Sequence, residues 1–195
     1  MVAAFRDRKD GQVKIFQITA PEGFDWVLPI NEQDFDALRF DGRSRQASWV
    51  PVKMRRVVAD ERGRPLAESD FPSCSGGDML LLRQHAVDAL GDLLGACGEL
   101  LPLECVGRAP LWALNVTTLL DALDESRSKL LRMPESGEIL RVKVPFFRPE
   151  AVAEAQLFKL SRMPRGLIYA TETFVQRVKS LPLRGIDFKQ VWAPD

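Results

Sequence analysis

Val13, Ile15, Gln17 and Thr19 alternate with Lys14, Phe16 and Ile18, a period-two pattern rich in β-branched residues that predicts a short strand. Pro21, Gly23 and Pro29 break the pattern after Thr19. Asp34 to Leu38 fits a helical turn, Asp41-Gly42 a tight turn, and Trp49 to Val58 a second strand closed by Asp60-Glu61-Arg62-Gly63. Trp26 and Trp49 read as aromatics of the core or of a boundary between lobes. Phe71 to Gly77 is the candidate hinge, with Ser75 or Asp78 placed to cap a following helix. That helix is predicted from Asp78 to Cys97, because Leu82, Ala86, Leu90, Leu93 and Cys97 recur three or four apart. Asp88 and Asp92 share its wet face, His85 lies one step from the apolar stripe, and Gly95 and Gly98 are stop signals.

Beyond the helix, Leu111 to Val116 reads as a buried strand, and Asn115 or Thr117 as the cap of a short helix over Thr118 to Leu123. Ile139 to Phe146 alternates again, entered by a turn at Pro134-Glu135-Ser136-Gly137, and Gln156 to Leu160 is another strand. Thr171 caps a helix with Phe174, Val175, Val178 and Leu181 inward, Pro182 to Gly185 turns the chain, and Ile186 to Trp192 closes as a strand. Short strands scattered among helices, without regular βαβ alternation, predict an α+β protein. We expect a β-rich N-terminal lobe over 1–74 packed on a mixed helix and sheet lobe over 75–195.

Composition narrows the chemistry. The 195 residues are 46% hydrophobic and balance 27 basic against 27 acidic groups, which excludes wholesale disorder and a global electrostatic grip on nucleic acid. Locally the balance breaks: residues 78–125 hold 2 basic and 8 acidic groups, a net of −6, and residues 126–195 hold 13 and 7, a net of +6. Either these segments neutralise one another across the fold, or the acidic stretch steers a basic partner. Met1 to Gln12 has no apolar run of signal-peptide length, and Met79 to Leu82 is too short to span a bilayer. Cys74, Cys97 and Cys105 form no CxxC pair and read as free thiols in a reducing cytosol.

Catalytic motifs of the GxSxG, HExxH, Walker and Rossmann kinds are missing from the sequence. Gly76-Gly77 lacks the spacing and the Lys-Ser or Lys-Thr of a phosphate loop. Asp121, Asp124 and Glu125, with the lone His85, are what a dispersed hydrolase-type site could use, although carboxylates beside a chain break commonly bond to turns. Arg162, Arg165, Arg177, Lys179 and Arg184 could serve a nucleic-acid adaptor, or be solvated helix charges.

Several blocks recur together in order: Leu100-Leu101-Pro102-Leu103; Leu114-Asn115-Val116-Thr117 leading to Asp121-Ala122-Leu123-Asp124 and Ser128; Leu157-Phe158-Lys159-Leu160; Ile168 to Phe174; and Leu183 to Phe188 closing in Val191-Trp192. In this order, over roughly residues 75–195, the chain resembles family eleven of the immunity proteins from bacterial polymorphic toxin systems. The resemblance implies a cytoplasmic antitoxin that binds a cognate toxin protein, is not an enzyme and needs no cofactor or metal. It brings no catalytic residue with it; Asn115, Asp121, Asp124 and Ser128 match the family pattern, and we read them as maintaining the fold ahead of contacting the toxin. The acidic middle supplies the candidate partner-binding residues Asp88, Asp92, Glu99 and Glu104, with Asp78 alongside. Against a nucleic-acid-attacking toxin, whose own site would be basic, they would raise the association rate more than the affinity.

Overall fold

The computed structural model describes residues 13–74, 77–105 and 110–194. In chain order these form β1 (Ile15–Thr19), β2 (Trp26–Pro29), α1 (Phe35–Leu38), β3 (Lys53–Val57), β4 (Leu80–Arg83), α2 (Gln84–Gly95), β5 (Gly98–Cys105) and β6 (Leu111–Val116). Next come β7 (Leu119–Leu120), β8 (Lys129–Arg132), β9 (Ile139–Val144), α3 (Pro149–Val152), β10 (Leu157–Leu160), β11 (Tyr169–Thr171), α4 (Glu172–Lys179) and β12 (Asp187–Trp192). The protein is α+β. One five-stranded sheet runs β12-β1-β11-β10-β7, a second runs β2-β3-β5-β6-β4, and β8-β9 form a separate ribbon.

Both large sheets mix strands from either side of residue 75. β1 lies antiparallel between β11 and β12, and β3 pairs in parallel with β5. The division into 1–74 and 75–195 therefore does not fall between sheets. Gly185, at φ +84°, turns the chain into β12 so close to Ser69 that a Cβ there would lie 1.8 Å from its Oγ, which requires glycine.

Side-chain alternation explains the layering. Phe16 and Ile18 of the first sheet meet Leu80, Leu82, Leu114 and Val116 of the second in one core, which α2 completes with Ala86, Leu90 and Leu94 and α4 with Phe174, Val175 and Val178. The odd-numbered residues Leu81, Leu101, Leu103, Leu111 and Ala113 face the other way, onto Val27, Leu38, Phe40 and Met54. On the far face of the first sheet, Ile15, Phe158, Leu160, Tyr169 and Trp192 pack with Leu123, Phe147 and Val152. Fully burying a side chain such as Leu82 contributes about 1.5–3 kcal/mol.

Several sequence expectations change. Residues 80–83 are a strand, not the start of the helix: Leu80–Arg83 pair antiparallel with Leu111–Leu114 and are buried on both faces. Arg83 is the N-cap of α2 and makes no side-chain cap bond, so Asp78 does not cap it, and Ser75 lies outside the described residues. No helix forms over Thr118 to Leu123; Leu119–Leu120 run parallel to β10. Trp26 is 47% exposed, whereas Trp49 packs on Phe40 at a ring distance of 5.8 Å and donates its indole N–H to Pro102 O at 2.8 Å. Thr171 does stand at the N-cap of α4, but its hydroxyl donates to Ala155 O at 2.9 Å.

Candidate docking surfaces

The candidate acidic residues are not brought onto one surface. Asp88 and Asp92 are exposed on α2. Asp88 accepts a bond from Gln84 Nε2 at 2.7 Å, and Gln84 Oε1 in turn accepts the Trp112 indole N–H at 3.0 Å. Asp88 and Asp92 both line a groove of about 550 Å³ between α2 and α4, closed on the other side by Gln156, Thr173 and Arg177. Glu104 is exposed and shares the parity of Leu100 and Pro102, hence the α2 side of the second sheet.

Glu99 has the opposite parity, is half-buried and is engaged within the fold. Its carboxylate accepts the Arg45 N–H at 2.8 Å, the Ser44 hydroxyl at 2.5 Å and Asn115 Nδ2 at 3.0 Å. Desolvation works to raise its pKa, but these hydrogen bonds prevail and hold the carboxyl below the usual glutamate value. Asn115 also donates to Arg43 O at 2.8 Å. The Asn115 and Glu99 pair thus pins the 43–45 loop to β5 and β6, a role that follows from side-chain parity once the β5–β6 register is known. Asp78 lies elsewhere, near the buried Lys159.

The residues of the dispersed acidic reading are likewise employed structurally. Asp124 accepts Ser126 Oγ at 2.6 Å and the N–H groups of Ser126 and Arg127, while Ser128 Oγ donates to Asp124 O at 2.6 Å. The hydrogen bond from Ser126 is the first reason that the Asp124 carboxyl stays below its ordinary value. Asp121 pairs with Arg148 at 3.0 Å, and Glu125 with Arg132 and Arg162. His85 Nδ1 lies 2.9 Å from Asp70 Oδ1, and the other Asp70 oxygen accepts the Arg184 N–H. These groups therefore do not converge as a catalytic set. Among the described residues, no three His, Cys, Asp or Glu side chains are grouped to hold a metal, and no helix is long and apolar enough to cross a membrane. The three cysteines are free.

Two buried charged sites escaped the sequence reading. Asp25, fully buried, accepts the Ser69 N–H at 2.7 Å and side-chain bonds from Arg56 and Arg83. Lys159 is 1% exposed and donates to Phe40 O at 2.9 Å. Burial lowers its pKa to about 8, against the opposing pull of Asp78 and Asp41. A larger concavity, of about 710 Å³, opens on the opposite face of the first sheet and carries basic residues. Of its four cations, the sequence reading singled out only Arg165.

Residues 107–193 match the sequence profile of an immunity protein family, Imm11. The match supports the resemblance read from the ordered blocks and covers β6 to β12, with α3 and α4. Residues 75–106, which include α2 and its acidic face, precede it. No curated protein matches the chain.

Proposed function

We propose that this chain is an antitoxin, which acts in the cytoplasm of a toxin-producing bacterium by occupying the working surface of a cognate toxin protein. The observation that carries the reading is the match of residues 107–193 to an immunity protein family. The disposition of charge supports it. The carboxylates that could have formed an acid/base site are spent on turns and ion pairs, while Asp88, Asp92 and Glu104 stay at the surface, where a complementary partner can meet them. In this reading those three face the toxin, and Glu99 contributes through the loop that it anchors.

The test is co-expression with the toxin-like product of the neighbouring reading frame, followed by survival, pull-down and association kinetics. Wild-type protein should rescue growth and co-purify with the toxin. The pair D88K/D92K should slow association by about tenfold at low ionic strength and flatten its salt dependence. Unchanged kinetics would remove α2 from the docking surface. Failure to rescue against every cognate candidate, together with turnover of a small molecule, would overturn the antitoxin reading.

A further inference from the structure

The face of the first sheet turned away from α2 is only partly roofed. The β8–β9 ribbon covers it through Leu130, Ile139 and Val142, and beside the ribbon the 710 Å³ cleft remains open. Gln17 stands opposite Tyr169 on one side and Lys189 on the other, so these three side chains form one row across the sheet at the cleft. β9 makes one wall, and the turn that contains Met163 and Arg165 makes another.

Four cations from three separate elements meet at this opening: Arg141 and Lys143 from β9, Arg165 from the turn before β11, and Lys189 from β12. All four are exposed, and among the described residues none has an ion-pair partner. The lining includes one carboxylate, Asp78, which already lies within Coulombic reach of Lys159. Like charges gathered around a concave, partly apolar surface focus a positive potential outward. The lining includes the half-exposed Leu140, and the apolar surface continues along the ribbon at Val144, which is 40% exposed. Finally, among the described residues β9 and β12, which both contribute to the lining, are each paired along one edge only, which leaves backbone donors and acceptors along their other edges.

We infer that this cleft receives an extended, acidic segment of the partner protein. The segment's carboxylates would pair with Arg141, Lys143, Arg165 and Lys189, and its alternate, apolar side chains would rest on Val142 and Tyr169. A small anion would use the rim alone and leave the apolar floor and the strand edges idle. The proposal rests on the partner-binding reading and names the chemistry of the partner's docking element.

The probe is a short fluorescein-labelled peptide of alternating Asp and Val, compared with its Asn and Val counterpart by fluorescence anisotropy. At about 50 mM salt the acidic peptide should bind about tenfold tighter, and the advantage should shrink at about 200 mM. It should vanish in R141E/K143E/R165E/K189E and persist in D88K/D92K. Should the fourfold variant melt early, R141Q/K143Q replaces it and should lose at least half of the advantage. Equal binding of the two peptides, binding untouched by either cleft variant, or full displacement by millimolar inorganic phosphate would overturn the proposal. The two readings fail separately. Rescue of cells from a toxin with no peptide preference removes the cleft and keeps the antitoxin; peptide capture without rescue by any toxin does the reverse.

Discussion

Asp25 and the basic cleft are two places where cationic side chains converge, and they differ in what they converge upon. Around Asp25, Arg56 and Arg83 close on a carboxylate that is fully buried and further bonded by the Ser69 N–H. Around the cleft, Arg141, Lys143, Arg165 and Lys189 close on open solvent. Burying an ion is costly unless its partners are in place, so the interior carries its charge with partners supplied. At the surface water tolerates the unpaired cations, and their gathering from three elements marks a site whose counter-charge is brought by another molecule. The charge segments of the chain thus cancel across the fold in part, through Arg148 with Asp121 and through Arg132 and Arg162 with Glu125, while the four cleft cations stay unpaired among the described residues. The α2 groove and the basic cleft lie on opposite sides of the first sheet, as the parity of Phe16 and Ile18 against Gln17 requires.

The largest effect should come from D25A. It takes the fully buried carboxylate away from the buried Arg83 and the half-buried Arg56, leaving both guanidinium groups, among the described residues, only the more distant and exposed Glu68 as an ion-pair partner. Chemical denaturation should show a loss of about 3–5 kcal/mol; a loss near zero would mean that the Asp25 cluster is not a satisfied interior site. Next is K159M, read as a difference in pH dependence. The unfolded lysine keeps its proton up to about 10.5, and the folded one releases it near 8. Between these values the unfolded state binds more protons, so wild-type stability should rise with pH relative to the variant, by about 2 kcal/mol from about pH 8 to about pH 10. Parallel profiles would contradict a buried, proton-releasing Lys159.

E99A comes third, at about 1–2 kcal/mol, because it removes the acceptor shared by Arg45, Ser44 and Asn115. Since the folded Glu99 carboxyl titrates below its ordinary value, its contribution is in force above the unfolded pKa and fades as pH falls through the folded one. Smallest should be R141Q/K143Q, with unfolding free energy within about 0.5 kcal/mol of wild type. A large loss would show that the cleft cations hold the fold together, as those around Asp25 do.

Strands whose periodicity is local were legible in the chain. Leu111–Val116 forms over the expected residues, and β9, β10, α4 and β12 lie within two residues of expectation. Leu80–Arg83 misled because a strand buried on both faces reads as a continuous apolar run, and Leu82 falls four residues before Ala86 in the helix that comes next. β8 was invisible because its residues are mostly exposed and its pairing depends on β9. Side-chain roles were harder still. The short-range turn at Asp124 and Ser128 was readable, since its partners are two to four residues away. The bonds of Glu99 to Arg45, and of Lys159 to Phe40 119 residues distant, depend on sheet order. The cleft depends on it too, because β9, the turn at Arg165 and β12 meet only in three dimensions.

We propose that this protein works by occupying another protein. This is tested most directly by titrating the purified chain into the product of the neighbouring reading frame in a calorimeter, with that product's toxic activity followed in parallel. A saturable, stoichiometric complex is expected, with its formation and the loss of toxic activity coinciding at the same molar ratio. No heat of binding at micromolar concentrations, with toxicity undiminished, would contradict it.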